Sequence, residues 1–179
     1  MLKEILTSVR ALLVLTLLTC VIYPLAVTGL AQLAFPAQAN GSLVKNGGQL
    51  VGSSLLAQKF TTPRYFWPRP SAADYATVAS GASNQGFTSK KLADAVNERH
   101  AALGADAPAD LLTTSGSGLD PHISPAAARF QAARVAAARN LPVEKVTALV
   151  EKSIEPSQFG FLGQARVNVL LLNRALDQL

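Results

Sequence analysis

The run Ala11–Leu33, ALLVLTLLTCVIYPLAVTGLAQL, constrains this chain more than any other stretch. No charged residue occurs from Ala11 to Val44, and twelve positions of the run are Leu, Ile or Val. As a helix rising ~1.5 Å per residue, it extends roughly 35 Å, enough to cross a ~30 Å hydrocarbon core with slight tilt. At about −0.3 to −0.6 kcal/mol each near the bilayer centre, the aliphatic residues outweigh the few Thr and Gln. Nothing later in the chain is as long and apolar. The sequence predicts one membrane span carrying one soluble domain.

Charge sets the expected orientation. Lys3, Arg10 and the α-amino group precede the span, and nothing positive follows it until Lys45. The positive-inside rule places residues 1–10 in the cytoplasm, the span at 11–33, a connector at 34–48 and the domain 49–179 outside, periplasmic in a Gram-negative cell. Ala37-Gln38-Ala39 has the small-x-small form of a signal-peptide cleavage site. The apolar run, however, far exceeds the usual ~7–15-residue core of such a signal, which favours an uncleaved anchor. Thr16, Thr19 and Tyr23 share one helical face by their i, i+3, i+7 spacing. That face either meets another membrane helix or bonds back to its own carbonyls. Pro24 predicts a kink toward the outer end.

The chain of 179 residues leaves length for one domain with a real core beyond the span. Net charge is +5, yet no block of Lys and Arg forms a nucleic-acid footprint and aromatics make up only 6%, which excludes nucleic acid as the expected partner. The single cysteine, Cys20, lies in the span, so the domain forms no disulfide and binds no thiolate-held metal.

Within the domain, Gln49–Phe60 reads as a strand. TTPRYFWPRPSAADY follows, where Pro63, Pro68 and Pro70 forbid regular structure while Tyr65, Phe66 and Trp67 supply aromatic mass, read as a core plug rather than a contact site. SGASNQG, at Ser80–Gly86, is a loop before a helix that Thr88 or Ser89 caps, with Leu92, Val96, Arg99 and Leu103 on one face and Gly104 as its stop. Asp110–Thr114 reads as a short strand and Ser115–Ile123 as a loop. Ser124-Pro125 then opens an alanine-rich helix to Asn140. A helix after Pro142 turns Val146, Leu149 and Val150 inward, and Arg166–Leu179 reads as a final helix. The fold class expected is α+β, helix-rich with a small sheet.

SGSGLDPHISP carries the residue types of a nucleophilic triad in Ser115, Ser117, Asp120 and His122. A triad normally assembles from separated segments, and the nucleophile elbow G-x-S-x-G is absent. Gly116, Gly118, Asp-Pro and a Ser-Pro cap are what a tight turn into a helix requires, so a structural or interface loop is favoured over an extracytoplasmic hydrolase. Asp120 and His122 have only His100 as a further histidine, too little for a metal site. Ser80, Gly81, Ser83 and Asn84 resemble an anion-cradling loop, but no P-loop lysine accompanies them. Arg129, Arg134 and Arg139 read as a solvated helix face, with anion or carboxylate binding as the alternative.

Taken in order, these segments resemble one family, the C subunit of the Kdp-type potassium-transporting ATPase of bacteria. The resemblance is carried by the single span, GSSLLAQKF at 52–60, YFWPRPSAADY at 65–75, SGASN at 80–84, SGSGLDPHISPAAA at 115–128, RVAAAR at 134–139 and RVNVLLLN at 166–173. Two departures stand out: Ala82 where the family often has Gly, and Gln164-Ala165 where it often has Glu-Pro. The resemblance implies a non-catalytic subunit of a four-part complex that imports potassium at the expense of ATP. Its partners would be a channel-like ion-selecting subunit, an ATP-hydrolysing pump subunit and a small membrane peptide. It also implies an assembly role and a catalytic-chaperone role that raises the pump's affinity for ATP, with Ser80, Gly81, Ser83 and Asn84 compared to a nucleotide signature. No cofactor is expected on the chain itself; ATP belongs to the pump subunit, and potassium is the transported ion. The orientation argues against direct ATP contact, since it puts those four residues across the membrane from cytoplasmic ATP. An allosteric route through the span fits better.

Overall fold

The apolar N-terminal run lies within one unbroken helix, Leu2–Ala34, long and apolar enough to cross a membrane. The structure, a computed structural model, describes residues 1–179 as two units, Met1–Leu43 and Val44–Leu179. The long helix has three parts: α1 (Leu2–Thr16), a π-helical turn over Leu17–Ile22, and α2 (Tyr23–Ala34). The irregularity expected from Pro24 takes the form of this π turn, which ends two residues before Pro24, a residue with no backbone N–H to give. A short helix, α3 (Pro36–Ala39), closes the first unit, and the Asn40 side-chain amide pairs with that of Gln32 at 3.1 and 3.3 Å.

A hairpin follows, β1 (Leu43–Asn46) and β2 (Gln49–Ser53), turned by Gly47 and Gly48, both at positive φ. The sequence placed Leu43–Asn46 in the connector and extended the next strand to Phe60. Instead β2 stops at Ser53, whose hydroxyl accepts from the Leu55 N–H at 3.1 Å and draws the backbone into a turn.

Helix α4 (Lys90–Leu103) ends at Gly104, whose φ of 102° suits only glycine. The segment expected as a strand at Asp110–Thr114 is a single helical turn, α5 (Ala109–Leu112). Pro108 precedes it in an extended conformation, Leu111 is buried, and the Asp110 carboxylate accepts from the Ser124 N–H at 2.8 Å and hydroxyl at 3.1 Å. Those bonds tie α5 to the start of α6 (Pro125–Arg139). There Ser124 caps the helix by accepting from the Ala127 N–H, and Asn140 ends it in the left-handed region.

A three-stranded antiparallel sheet runs β3 (His122–Ile123), β5 (Arg166–Asn168), β4 (Ile154–Glu155), with Val167 opposite both Ile123 and Ile154. The sequence put Arg166–Asn168 inside the last helix and His122–Ile123 in a loop. Strands of two and three residues carry no legible period, and here tertiary pairing defines them. Asn168 marks the switch, because its side chain accepts from the Leu171 N–H and so caps α8 (Val169–Leu176).

The core is built from α6, α7 (Val143–Lys152), α8 and the sheet. On α6 the buried residues are Ala127, Ala128, Gln131, Ala132, Val135 and Ala136, a stripe at i, i+1, i+4, i+5 spacing. Four alanines in that stripe let neighbouring elements approach the helix closely. Val146 and Val150 of α7 and Leu172 and Leu176 of α8 fill the opposite side. The architecture is α+β, helix-rich with small sheets, as the sequence implied.

Phe66 is the plug, with 0% of its surface exposed. Its segment cannot join a sheet, so its backbone needs other partners. Asn173 on α8 supplies one set: its side-chain oxygen accepts from the Phe66 N–H at 2.8 Å, and its amide donates to the Phe66 carbonyl at 3.0 Å. Gln131 on α6 repeats the arrangement on Trp67, at 2.8 and 3.1 Å. Arginines fasten the edges. Arg134 donates to the carbonyls of Pro63 and Tyr65 and stacks 3.8 Å over the Trp67 ring, and burial lowers its pKa to about 10. Arg139 donates to the Arg64 and Leu176 carbonyls, pairs with Asp177 at 2.6 Å and lies over Tyr65. Arg129 pairs with Glu151 on α7. Arg134 and Arg139 are therefore not a solvated face but fasteners within the domain, whereas Arg129 stays exposed and pairs with Glu151 at the surface.

Asn173→Ala would leave the buried N–H and C=O of Phe66 unpaired, at about 1–3 kcal/mol per group. Chemical denaturation of the detergent-solubilised chain is expected to show a loss of ~2–5 kcal/mol, while conservative trimming of exposed Arg129 costs far less.

Candidate functional site

Three separated motifs, PRPSAADY, SGASN and SGSGLDPH, converge on one junction. Arg69 emerges between Pro68 and Pro70, whose fixed φ angles hold the backbone extended. Its guanidinium reaches Asp120 Oδ2 at 3.3 Å and the Thr114 carbonyl at 3.4 Å, while its buried Nε–H has no partner. The Pro70 carbonyl accepts from the Ser115 N–H at 3.0 Å, which registers the first motif against the third.

Ser71 organises the turn that follows. Its hydroxyl oxygen accepts from the N–H groups of Ala73 and Tyr75, at 3.2 and 2.9 Å. Asp74 and Tyr75 both adopt positive φ, 50° and 64°, an arrangement non-glycine residues keep only when firmly held. The holding contacts are the Tyr75 hydroxyl donating to the Arg69 carbonyl at 2.9 Å and Lys59 paired with Asp74 at 2.7 Å. Burial, then the neighbouring Asp74 carboxylate, raises the Tyr75 pKa, so the hydroxyl stays a donor.

The two serine–glycine loops meet at their glycines. Gly118, at φ 70°, is packed so closely that a Cβ there would stand 2.9 Å from the Gly81 carbonyl oxygen and 3.2 Å from Ser71 Oγ. The Thr114 hydroxyl donates to Ser83 Oγ at 3.3 Å, and the Ser83 carbonyl accepts from the Gln85 side chain. Gln85 in turn accepts from the Ser89 hydroxyl at 2.6 Å, so Ser89 starts α4 without bonding its N–H groups directly. Ser80 and Asn84 are exposed, with Asn84 at φ 52°. A hollow of about 410 Å³ opens beside this loop, lined by Ser71, Ser83, Gln85, Thr114, Lys91 and Arg99.

In the third motif, the Ser117 hydroxyl accepts from the Leu119 N–H at 3.1 Å, and Asp120 Oδ1 accepts from the His122 N–H at 3.0 Å. These are turn bonds formed by side chains on their own backbone. Ser115 is buried, Gly116 is exposed, and Asp120 lies 3.6 Å from His122 Nδ1. Burial pushes the Asp120 carboxyl up, but the His122 hydrogen bonds and the Arg69 guanidinium outweigh it and hold the pKa below the usual carboxylate range. Asp120 is therefore an anion committed to two partners. Neither Ser115 nor Ser117 is hydrogen-bonded to His122, so the nucleophile, base and orienting acid of a hydrolase do not come together. That reading is corrected: these polar groups are spent on building the turn. No three His, Cys, Asp or Glu side chains gather into a metal-holding group.

In the long N-terminal helix, Thr19 donates its hydroxyl to the Leu15 carbonyl at 2.7 Å. The π turn breaks the regular 3.6-residue period that put Thr16, Thr19 and Tyr23 in line. Sequence reasoning passed over Arg69 and Thr114, which join the loops. A lone arginine framed by two prolines was the available signal.

A family model, "KdpC: K+-transporting ATPase, c chain", matches residues 5–178. Among curated proteins, the chain is 57% identical over 173 residues to the potassium-transporting ATPase KdpC subunit of Rhodospirillum rubrum, covering 92% of this chain and 90% of that one. It is 58% identical over 176 residues to the KdpC subunit of Polaromonas naphthalenivorans, covering 93% and 90%. It is 56% identical over 178 residues to that of Methylococcus capsulatus, covering 94% of each.

Gly118→Ala is expected to destabilise the domain by about 1–3 kcal/mol through positive φ and the clash with the opposing backbone. Gly81→Ala has open space around its Cβ and should fall within about 0.5 kcal/mol of wild type. Thermal unfolding of the two variants measures the contrast.

Proposed function

The chain belongs to the c-chain family of K+-transporting ATPases, and from that premise we propose that it is a docking subunit of an ATP-driven potassium importer in the bacterial inner membrane. Residues 1–10 lie in the cytoplasm, the helix spans the bilayer, and the second unit covers the outer face of the channel-like, ion-selecting subunit. The ATP-hydrolysing subunit and a small membrane peptide complete the assembly. Potassium is the cargo of the complex, and ATP is bound by the pump subunit.

The observation that carries this reading is an apolar turn built to project. Gln158 and Leu162 exchange backbone hydrogen bonds, both at 2.9 Å, and close the loop between them. Phe159 sits at φ 53° and Gly160 at φ 81°, so the turn is tight. It leaves Phe159 86% and Phe161 76% exposed. Two phenylalanines held in water on a pinned turn form the kind of apolar patch that marks a protein contact. The domain can afford no such loss in its own core, where Phe66 is wholly buried.

Influence on the pump's ATP affinity fits the span rather than the loops. The positive flank before the helix supports a cytoplasmic N-terminus, which sets Ser80, Gly81, Ser83 and Asn84 on the other side from ATP. A docked helix that favours one pump conformation over another needs only ~1–3 kcal/mol of coupling to change nucleotide affinity 5- to 150-fold. The junction of serine–glycine loops then serves to fix the docking surface.

The paired change Phe159→Ser, Phe161→Ser tests the docking role. Its expected result is a several-fold fall in complex recovered with the other subunits, at an unchanged melting temperature of the isolated chain. Full recovery with normal transport would overturn the assignment.

A further inference from the structure

The π turn deprives the Thr19 carbonyl of both its regular helical donors. In an α-helix the Thr19 carbonyl accepts from the Tyr23 N–H, but that N–H is bonded to the Leu18 carbonyl. In a π-helix the donor would be residue 24, which is proline and has no N–H. Both donors are thus unavailable. The Thr19 hydroxyl cannot substitute, since it is committed to the Leu15 carbonyl at 2.7 Å.

Depth makes this vacancy consequential. Thr19 lies nine residues beyond Arg10, the last charge before the run, or about 13 Å along the axis at ~1.5 Å per residue. That is close to the middle of a ~30 Å hydrocarbon core, where no bulk water reaches an unpaired carbonyl. The missing donors are those of residues 23 and 24, so the opening lies on the side of the helix that carries Tyr23. Tyr23 itself is 66% exposed and adds ring surface there.

We infer that this turn docks a membrane helix of another subunit of the ATPase, one that presents a side-chain O–H or N–H at mid-bilayer to the Thr19 carbonyl. Serine, threonine, asparagine, glutamine and tyrosine supply such donors, and hydrogen bonds of this kind join helices in membranes. The inference rests on the proposed role as a membrane-embedded subunit and gives that role an attachment point. The docking face is the π turn with its freed acceptor; the Thr19 hydroxyl, already bonded to the Leu15 carbonyl, is not one of its hydrogen-bonding groups.

Two substitutions separate the carbonyl from the hydroxyl. Pro24→Ala restores an N–H and lets the helix close, giving the Thr19 carbonyl an internal donor. Thr19→Val keeps the carbonyl and removes only the hydroxyl. In the detergent-solubilised complex, Pro24→Ala should weaken retention of this subunit by about three- to twentyfold on dilution, the span expected for one interhelical hydrogen bond, with helicity unchanged. Thr19→Val should stay within about twofold of wild type. Equal retention of Pro24→Ala and wild type would overturn the inference while leaving the docking role intact. So would oxidative cross-linking of Cys20 to Cys20 in the assembled complex, which would make a second copy of this chain the occupant. If the wild-type chain itself fails to co-purify with any other subunit, the proposed function falls and this inference with it.

Discussion

Two buried side-chain amides hold the domain's fold together. Asn173 and Gln131 each bond both backbone groups of one residue, Phe66 and Trp67 respectively, from helices α8 and α6. The amides act as surrogate strands for a proline-punctuated segment that no ladder can accept. Once Phe66 is seated, the distance between α6 and α8 is fixed, and the short sheet centred on Val167 closes over the same core. Arg134 and Arg139 extend the grip along the segment, from Pro63 to Tyr65, by donating to its backbone carbonyls. Because each helix contributes polar groups at its core face, the segment has one register and one depth.

That grip also explains the chemistry of the loop junction. The clamped segment continues directly into Arg69, Pro70 and Ser71, whose bonds to Asp120, Ser115 and Tyr75 set the position of both serine–glycine loops. Ser71 and Ser117 satisfy turn backbones, Asp120 serves its own turn and Arg69, and Gly118 admits the Gly81 backbone at close range. The residue types of a catalytic site are present, but each is used in building a rigid surface. Rigidity suits the proposed docking role, in which contacts must be ready before the partner arrives.

The parts of this fold that were legible in the sequence are those with long-range pattern or strong local chemistry. The long apolar N-terminal helix announced itself by length and absence of charge, α6 by its Ser-Pro cap, and α4 by the glycine that ends it. Phe66 was legible as a plug because prolines and large rings together leave few alternatives. The sheet was not, since His122–Ile123 and Arg166–Asn168 are too short to show a period; the first is defined by a partner strand more than forty residues away, and the second by that strand together with Ile154–Glu155. Arg134 and Arg139 of α6 misled for a related reason: they donate to carbonyls of a distant segment, and no local spacing encodes such contacts. At the junction, the individual motifs were visible, whereas their meeting through Gly118 and Gly81 is a property of the folded chain alone.

In the proposed orientation the whole second unit lies on the side of the membrane opposite ATP, so that the span carries any effect on the pump. A single cysteine at Ser89, in a chain with Cys20→Ser, tests this most directly. A membrane-impermeant maleimide should label it in right-side-out vesicles and fail to label it in sealed inside-out vesicles. Labelling confined to the inside-out vesicles would put the serine–glycine loops with ATP and contradict the account.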